Sequence, residues 1–261
     1  MSAWLRYVVP AIVGIAVLAG WQVWVRESGT SPLVVAAPSD IWTAFIENFS
    51  VLMHAMVFTM RITLFAFLVA TVSGVALAIL FSQSRIVEYA LYPYAVVLQV
   101  TPVVALAPLL LIWIGYDHVS TVLVVIAWII AFFTILSNTT VGLRSADHNL
   151  VDLFRLYGAS RWQILWRLQL PGALPYLLAG MKISGGLALI GAVTAELVAG
   201  SGNDTGLGWT ITLAGRSLET AKVFAALAML SILGIAIFFA LSALEWALLH
   251  RWHESAVKKQ D

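Results

Sequence analysis

Apolar residues in this chain gather into long runs, and most charged residues stand at the ends of those runs. A helix needs about 20 apolar residues to cross the hydrocarbon core of a bilayer. Six stretches meet that length: Tyr7–Val25, Ile62–Phe81, Tyr89–Gly115, Val119–Leu143, Ala173–Gly200 and Val223–Leu249. The third is free of charge but punctuated by Pro93, Pro102 and Pro108. The fifth carries Lys182 and Glu196, and the sixth has Glu245 close to its exit. Residues Val35-Ala36-Ala37 faintly resemble a signal cleavage site. The apolar core before them, at 19 residues, exceeds the roughly 7–15 of a secretory signal, so the first run is read as a retained helix.

The segments between runs carry their own patterns. Between 26 and 57, Pro38-Ser39-Asp40 precedes Ile41, Trp42, Phe45, Ile46 and Phe49. Ser39 or Asp40 is expected to cap a short helix whose one-sided apolar face lies on the outer surface. Residues 201–222 hold Gly202, Gly206 and Gly208, then an apolar patch at Trp209–Leu213, as suits a small lid or a packed loop. Residues 150–171 read as a helical hairpin. Asn149 is expected to cap its first helix, with Asp152 favourably placed near the positive helix end. Gly158 can stop that helix in a left-handed conformation. Ser160 and Gln163 fit a capping box for a second helix, which carries Trp162, Trp166, Arg161 and Arg167 and is expected to end at Pro171. Pro175 then sits in the first turn of the next span. The hairpin is either interfacial, with snorkelling arginines, or a short apolar helix that inserts into a partner's groove.

Composition sharpens this picture. The chain has 261 residues, 61% hydrophobic and 10% charged, with mean hydropathy +0.95. Soluble domains carry about 25% charged residues, so residues 1–261 form a single transmembrane domain of an all-α, polytopic protein. A net charge of +1 gives no electrostatic case for nucleic acid. Lysines and arginines favour the cytoplasmic side. With the N-terminus inside, that side collects Arg6, Arg85, Arg144, Arg155, Arg161, Arg167, Lys182, Arg251, Lys258 and Lys259, against Arg26, Arg61, Arg216 and Lys222 outside. Both termini and the hairpin are therefore cytoplasmic.

Ionisable and polar groups inside a span are candidates for function. Glu196 either lines a translocation path, paired with Arg61, or holds helices together as an ion pair or hydrogen-bonded carboxyl. Pro102 and Pro108, with Gln99 and Thr101, free backbone carbonyls in mid-membrane, which is tolerated in a wet cavity or in buried packing. Trp128, Phe132, Phe133, Ser137 and Asn138 could face the same cavity, and Ser137 and Asn138 could equally bind helices together. Lys182 can snorkel. Gly185, Gly186 and Gly191 allow close helix approach, suited to contact between two copies. The histidines His54, His118, His148, His250 and His253 show no ligand spacing, so no metal is expected. No Gly-x-x-x-x-Gly-Lys-Ser/Thr phosphate loop occurs, so an ATPase would have to be a separate chain.

The spacing Asp152-Leu153-Phe154, Gly158, then Leu168-x-Leu170-Pro171 resembles the loop of binding-protein-dependent ABC importer permeases. There the pattern is Glu-Ala-Ala, three residues, Gly, nine residues, Ile-x-Leu-Pro. This chain keeps Gly158, Leu170 and Pro171, and follows Gly158 with Ala159-Ser160. It departs at the start, where Asp152 replaces Glu and Leu153-Phe154 replace Ala-Ala, which calls for a wider groove on the partner. Pro102, Pro108, Ile112-Trp113-Ile114-Gly115, Thr194-Ala195-Glu196-Leu197 and Gly206-Leu207-Gly208 are similar to the nitrate/sulfonate/taurine-type branch. The resemblance covers roughly residues 35–250.

The resemblance implies a type I importer permease with six transmembrane helices in the inner membrane. It implies a second permease copy, a cytoplasmic ABC ATPase dimer holding the ATP and Mg, and an extracytoplasmic substrate-binding protein. This chain itself binds no cofactor and performs no catalysis. Residues 147–171 become the coupling hairpin, with Asp152, Leu153, Phe154, Gly158, Ala159, Ser160, Arg161 and Pro171 toward the ATPase. Arg61, Gln99, Thr101, Pro102, Trp128, Asn138 and Glu196 are the candidate path. The branch implies a small solute: a nitrate-, sulfonate- or taurine-type anion, or an aromatic vitamin precursor such as a pyrimidine or flavin. The mid-membrane residues, lacking a free cation, tilt toward a neutral or planar one. The alternatives are an ion-coupled transporter or channel, against which stands the lack of an intramembrane charge chain or inverted halves, and a membrane-embedded enzyme.

Overall fold

The computed structural model describes residues 4–200 and 205–250, and among these the chain is helical with no strand. Gly202, Arg251, His253, Lys258 and Lys259 lie outside the described residues, as does the side chain of Arg6. The helices are α1 (Leu5–Glu27), α2 (Pro38–Glu47), α3 (Phe49–Gln83), α4 (Arg85–Val100), α5 (Val103–Ile114), α6 (Val119–Arg144), α7 (His148–Leu156), α8 (Arg161–Ile164), α9 (Leu170–Ala199), α10 (Leu207–Arg216) and α11 (Thr220–Leu249). Among the described residues, five runs are long and apolar enough to cross a membrane, and α4 with α5 makes a sixth if the bent pair is one span. Large side chains such as Phe65, Val72, Ile190 and Phe239 are exposed on the outer faces of the long helices, as a lipid-facing surface requires.

The centre of the bundle is α3, α6 and α9. Phe67, Ala70, Phe81, Ala131, Phe132, Leu136 and Leu165 fill one half of its core, and Ile62, Ala66, Leu123, Ile126, Ala192 and Ala195 fill the other. Small residues set the spacing. A Cβ at Gly180 would lie 2.8 Å from Asn138 Cβ, and one at Gly191 would lie 2.8 Å from Ala127 Cα. Helices in lipid gain contact area by such close approach. Gly185 meets Leu241 and Ile237 of α11 in the same way. Gly185 and Gly191 are therefore spent within the chain, and Gly186 has open space. Lys182 does not snorkel alone: its Nζ lies 2.8 Å from Glu245 Oε2 on α11 and above the Phe238 ring.

Helix α1 stands largely apart from this core. It is fastened at its far end, where Arg26 donates to Asp40 at 2.7 Å and to Ser39 at 2.9 Å, and Gln22 donates to Ser39. Trp21 packs against Phe224. Ser39 and Asp40 are thus used for this attachment rather than as caps. Ala37 is the N-cap of α2, with Pro38 at its first position, where a missing N–H costs nothing.

Two proline expectations change. The run Tyr89–Gly115 divides, with α4 and α5 meeting at 102°. Pro102 disfavours the helical conformation for the residue before it; Thr101 is extended at φ −67° and ψ 130°, its hydroxyl donating to the Val97 carbonyl. Pro108 lies inside α5 without breaking it. Conversely, Pro171 does not end the hairpin's second helix. The run from Arg161 to Ala199 is continuous because the turn Leu165–Gln169 widens to π-helical spacing. The widened turn makes room for a ring that would otherwise clash with the carbonyl four residues back. Pro175 accordingly lies inside α9.

Candidate functional site

The hairpin is assembled by local rules. Asp147, not Asn149, caps α7, its carboxylate accepting from Asn149 N–H at 2.9 Å. Asp152 and Arg155 form an exposed pair at 3.2 Å. At the helix end, Gly158 N–H donates to Arg155 O and Ala159 N–H to Phe154 O, both at 2.9 Å, with Gly158 at φ +74°. This is the Schellman arrangement, and a side chain at Gly158 would be strained by its dihedral although the space is open. Ser160 then caps α8: its hydroxyl accepts from Gln163 N–H at 3.3 Å, and Gln163 Oε1 accepts from Ser160 N–H at 2.7 Å. The capping box is complete.

These caps present apolar side chains to the outside. Leu156 and Tyr157 at the turn are 85% and 84% exposed, and Leu153 and Trp162 are about half exposed. A cleft of about 380 Å³ runs between the arms, lined by Leu153, Phe154, Tyr157, Ala159 and Arg167. Asp152, Ser160 and Arg161 are exposed, whereas Phe154 and Ala159 are half-buried. Pro171 stands away from the tip, at the start of α9.

The opposite end of the bundle holds a second polar site, and it is closed. Glu196 is fully buried. Its carboxylate accepts from the Thr59 hydroxyl at 2.8 and 3.1 Å and from Gly208 N–H at 2.8 Å. The Thr59 oxygen in turn accepts from Leu207 N–H at 2.9 Å. One carboxylate and one hydroxyl thereby bind α9 and α3 to the first turn of α10, whose N–H groups have no partner within the helix. The fit leaves no room for side chains on the glycines: a Cβ at Gly206 would lie 2.2 Å from Glu196 Oε1, and one at Gly208 2.7 Å from Val193 O. Of the expected lid or packed loop, Leu207–Arg216 is therefore a packed helix.

The expected Glu196–Arg61 pair is absent. Arg61 is exposed on α3 and has no ion-pair partner among the described residues. Thr59, two residues earlier, takes the place assigned to it. The remaining path residues divide. Gln99, Thr101 and Pro102 sit at the α4–α5 break, with Gln99 and Pro102 exposed. Trp128 donates to Ser73 Oγ at 3.0 Å and packs on Phe132, and Asn138 packs against Gly180. Those two work between helices. Thr59 and the Gly208 N–H were missed from sequence because a threonine in an apolar run carries no signal until its partner is known. Glu196 with Gly206-Leu207-Gly208 was the available signal.

Residues 70–250 match the model of a family described as binding-protein-dependent transport system inner membrane component. The riboflavin transport system permease protein of Chloroflexus aurantiacus is 35% identical, over 90% of this chain and 86% of its own. The formylaminopyrimidine transport permease protein of Halalkalibacterium halodurans is 33% identical, over 92% and 94%. The taurine transport system permease protein of Escherichia coli is 30% identical, over 85% and 76%. In fold, the chain is similar to a methionine ABC transporter solved in inward-facing conformations, with TM-score 0.68 at 18% identity, covering 77% of this chain and 97% of that one. The chain therefore belongs to the inner-membrane components of binding-protein-dependent transport systems and is a multi-pass permease of the ABC importer kind.

Proposed function

We propose that this chain passes a small, planar organic solute into the cytoplasm, receiving it from an extracytoplasmic binding protein and drawing on ATP hydrolysed, with Mg, by a separate ABC ATPase dimer. In this reading two copies of the permease form the pathway, and the hairpin at 147–171 docks into the ATPase. The exposed turn carries the proposal: Leu156 and Tyr157 stand almost fully in solvent on a frame whose every cap is satisfied. Exposed apolar side chains on a rigid helical frame fit a groove on a partner. Asp152, Leu153, Phe154, Gly158, Ala159, Ser160 and Arg161 are the contact residues, and Pro171 with its widened turn joins the hairpin rigidly to α9. Movement of the hairpin would then be carried along one continuous helix to Glu196 at its far end.

The break at Thr101-Pro102 is the candidate stretch of pathway, because its exposed polar groups and freed carbonyls need water or solute. A planar aromatic solute is favoured by the riboflavin and formylaminopyrimidine relatives, which have the higher identities of the three compared. The test is co-purification with the ATPase encoded beside this chain. Wild type is expected to hold the ATPase and Gly158→Pro to release it, since proline cannot adopt φ +74°. A Gly158→Pro chain that folds and still binds the ATPase would sink the docking assignment.

A further inference from the structure

Beside the hairpin, where the apolar runs of α3 and α6 end, lie two adjoining cavities of about 930 and 560 Å³ that share Ser82, Arg85, Val151, Arg155 and Gln169. Arg161 reaches the first of them and Arg144 the second. The charges around them are unequal. Glu88 is neutralised by Arg144, Asp152 sits against Arg155, and His148 lines the smaller cavity. Arg85 and Arg161 face the larger cavity and have no ion-pair partner among the described residues.

From Arg85 an apolar stripe leads away along α4. Ile86, Tyr89, Ala90, Pro93 and Val97, at helical spacings, are all exposed. Guanidinium groups at the end of spanning helices, continuous with an exposed apolar stripe, match a ligand with an anionic head and hydrocarbon tails. We propose that this cavity seats the phosphate of an anionic phospholipid between Arg85 and Arg161, with its acyl chains along α4. A free phosphate shares the headgroup chemistry but makes no use of the stripe. The inference rests on the membrane placement of the helices, and it shares Arg161 and Ala159 with the proposed ATPase contact.

The experiment is native mass spectrometry of the full chain, released from detergent micelles doped with equal phosphatidylglycerol and phosphatidylcholine, and separately with inorganic phosphate. Wild type is expected to retain phosphatidylglycerol preferentially. Arg85→Ala and Arg161→Ala should each weaken that retention about fivefold, since one arginine near an anionic surface contributes about 1 kcal/mol. Arg167→Ala, in the cleft on the hairpin's other side, should leave it unchanged, with circular dichroism reporting that each variant is folded. If either alanine variant fails to fold, the exposed substitution Arg85→Gln decides. Equal retention of the two lipids, an equal loss in Arg167→Ala, or inorganic phosphate bound as tightly as phosphatidylglycerol would overturn the proposal. So would loss of the ATPase complex in Arg85→Ala with lipid retention intact, which would give the arginines to the protein contact.

Discussion

The two ends of α9 hold polar residues for opposite purposes. At the hairpin, each hydrogen bond joins residues at most five apart, the caps are exposed, and the apolar side chains point outward. Around Glu196, the bonds from Thr59 span 137 residues, the donors and acceptors are buried, and the result is closed. The first region is capped by bonds between near neighbours in the chain and offers a surface. The second exists only because three helices meet, and it fixes how they meet. A transporter that moves as rigid helices has use for both: a stiff handle at one end and a latch at the other.

The largest expected effect tests the latch. Glu196→Ala leaves the Thr59 hydroxyl and the Gly208 N–H buried without an acceptor, at about 1–3 kcal/mol for each orphaned group. Asp152→Ala, on the exposed hairpin, should stay within about 0.5 kcal/mol. Unfolding of the purified chain in mild detergent reads both. Equal losses in the two variants would erase the contrast between the regions.

Next come the glycines. A Cβ on Gly208 meets the Val193 carbonyl at 2.7 Å, so Gly208→Ala forces backbone to move and should cost about 1–3 kcal/mol. Gly158→Ala meets open space and pays only for its left-handed dihedral, about 1–2 kcal/mol. Replacing Gly158 by Asn, which tolerates that region, separates the causes. Recovery in Gly158→Asn with none in Gly208→Asn would confirm dihedral strain at one site and steric exclusion at the other.

A smaller effect belongs to the cap. Ser160→Ala removes the acceptor for Gln163 N–H and should destabilise the start of α8 by about 1 kcal/mol. Because the hairpin is built locally, faster amide exchange should be confined to the hairpin, with global stability lowered by no more than that amount. Acceleration spreading into α9 would show that the two regions are coupled through the widened turn.

The same contrast explains what could be read from the sequence. Gly158, Ser160 and Gln163 act on neighbours in the chain, so their roles were legible from spacing. The six apolar runs were legible because lipid imposes length. Features that depend on distant partners were not. Arg61 was a reasonable partner for Glu196 by charge, and the burial of Thr59 against α9 decided otherwise. Pro171 looked like a helix end because the turn that absorbs it, Leu165–Gln169, has no residue signature. Pro102 and Pro108 looked alike, yet only Pro102 follows a residue that has left the helix.

The smallest expected effect sets the two ends against each other on one motif. Helix α10 finishes as α7 does: Leu218 N–H donates to Gly215 O at 3.2 Å and Glu219 N–H to Ala214 O at 2.9 Å. The left-handed position, however, is a leucine at φ +59°, and the residue is 60% exposed. An L-residue there costs about 1–2 kcal/mol, and the exposed side chain recovers little by burial in this chain. Leu218→Gly should therefore stabilise the chain by up to about 1 kcal/mol, less the entropy glycine adds to the unfolded state. The opposite swap, Gly158→Leu, should destabilise by about 1–2 kcal/mol, as Gly158→Ala does. Stabilisation in Leu218→Gly together with weaker capture of the binding protein would mean that the strain is kept for the exposed leucine at the end proposed to receive solute. Stabilisation without such a loss would leave Leu218 as strain that the buried Glu196 latch is strong enough to carry.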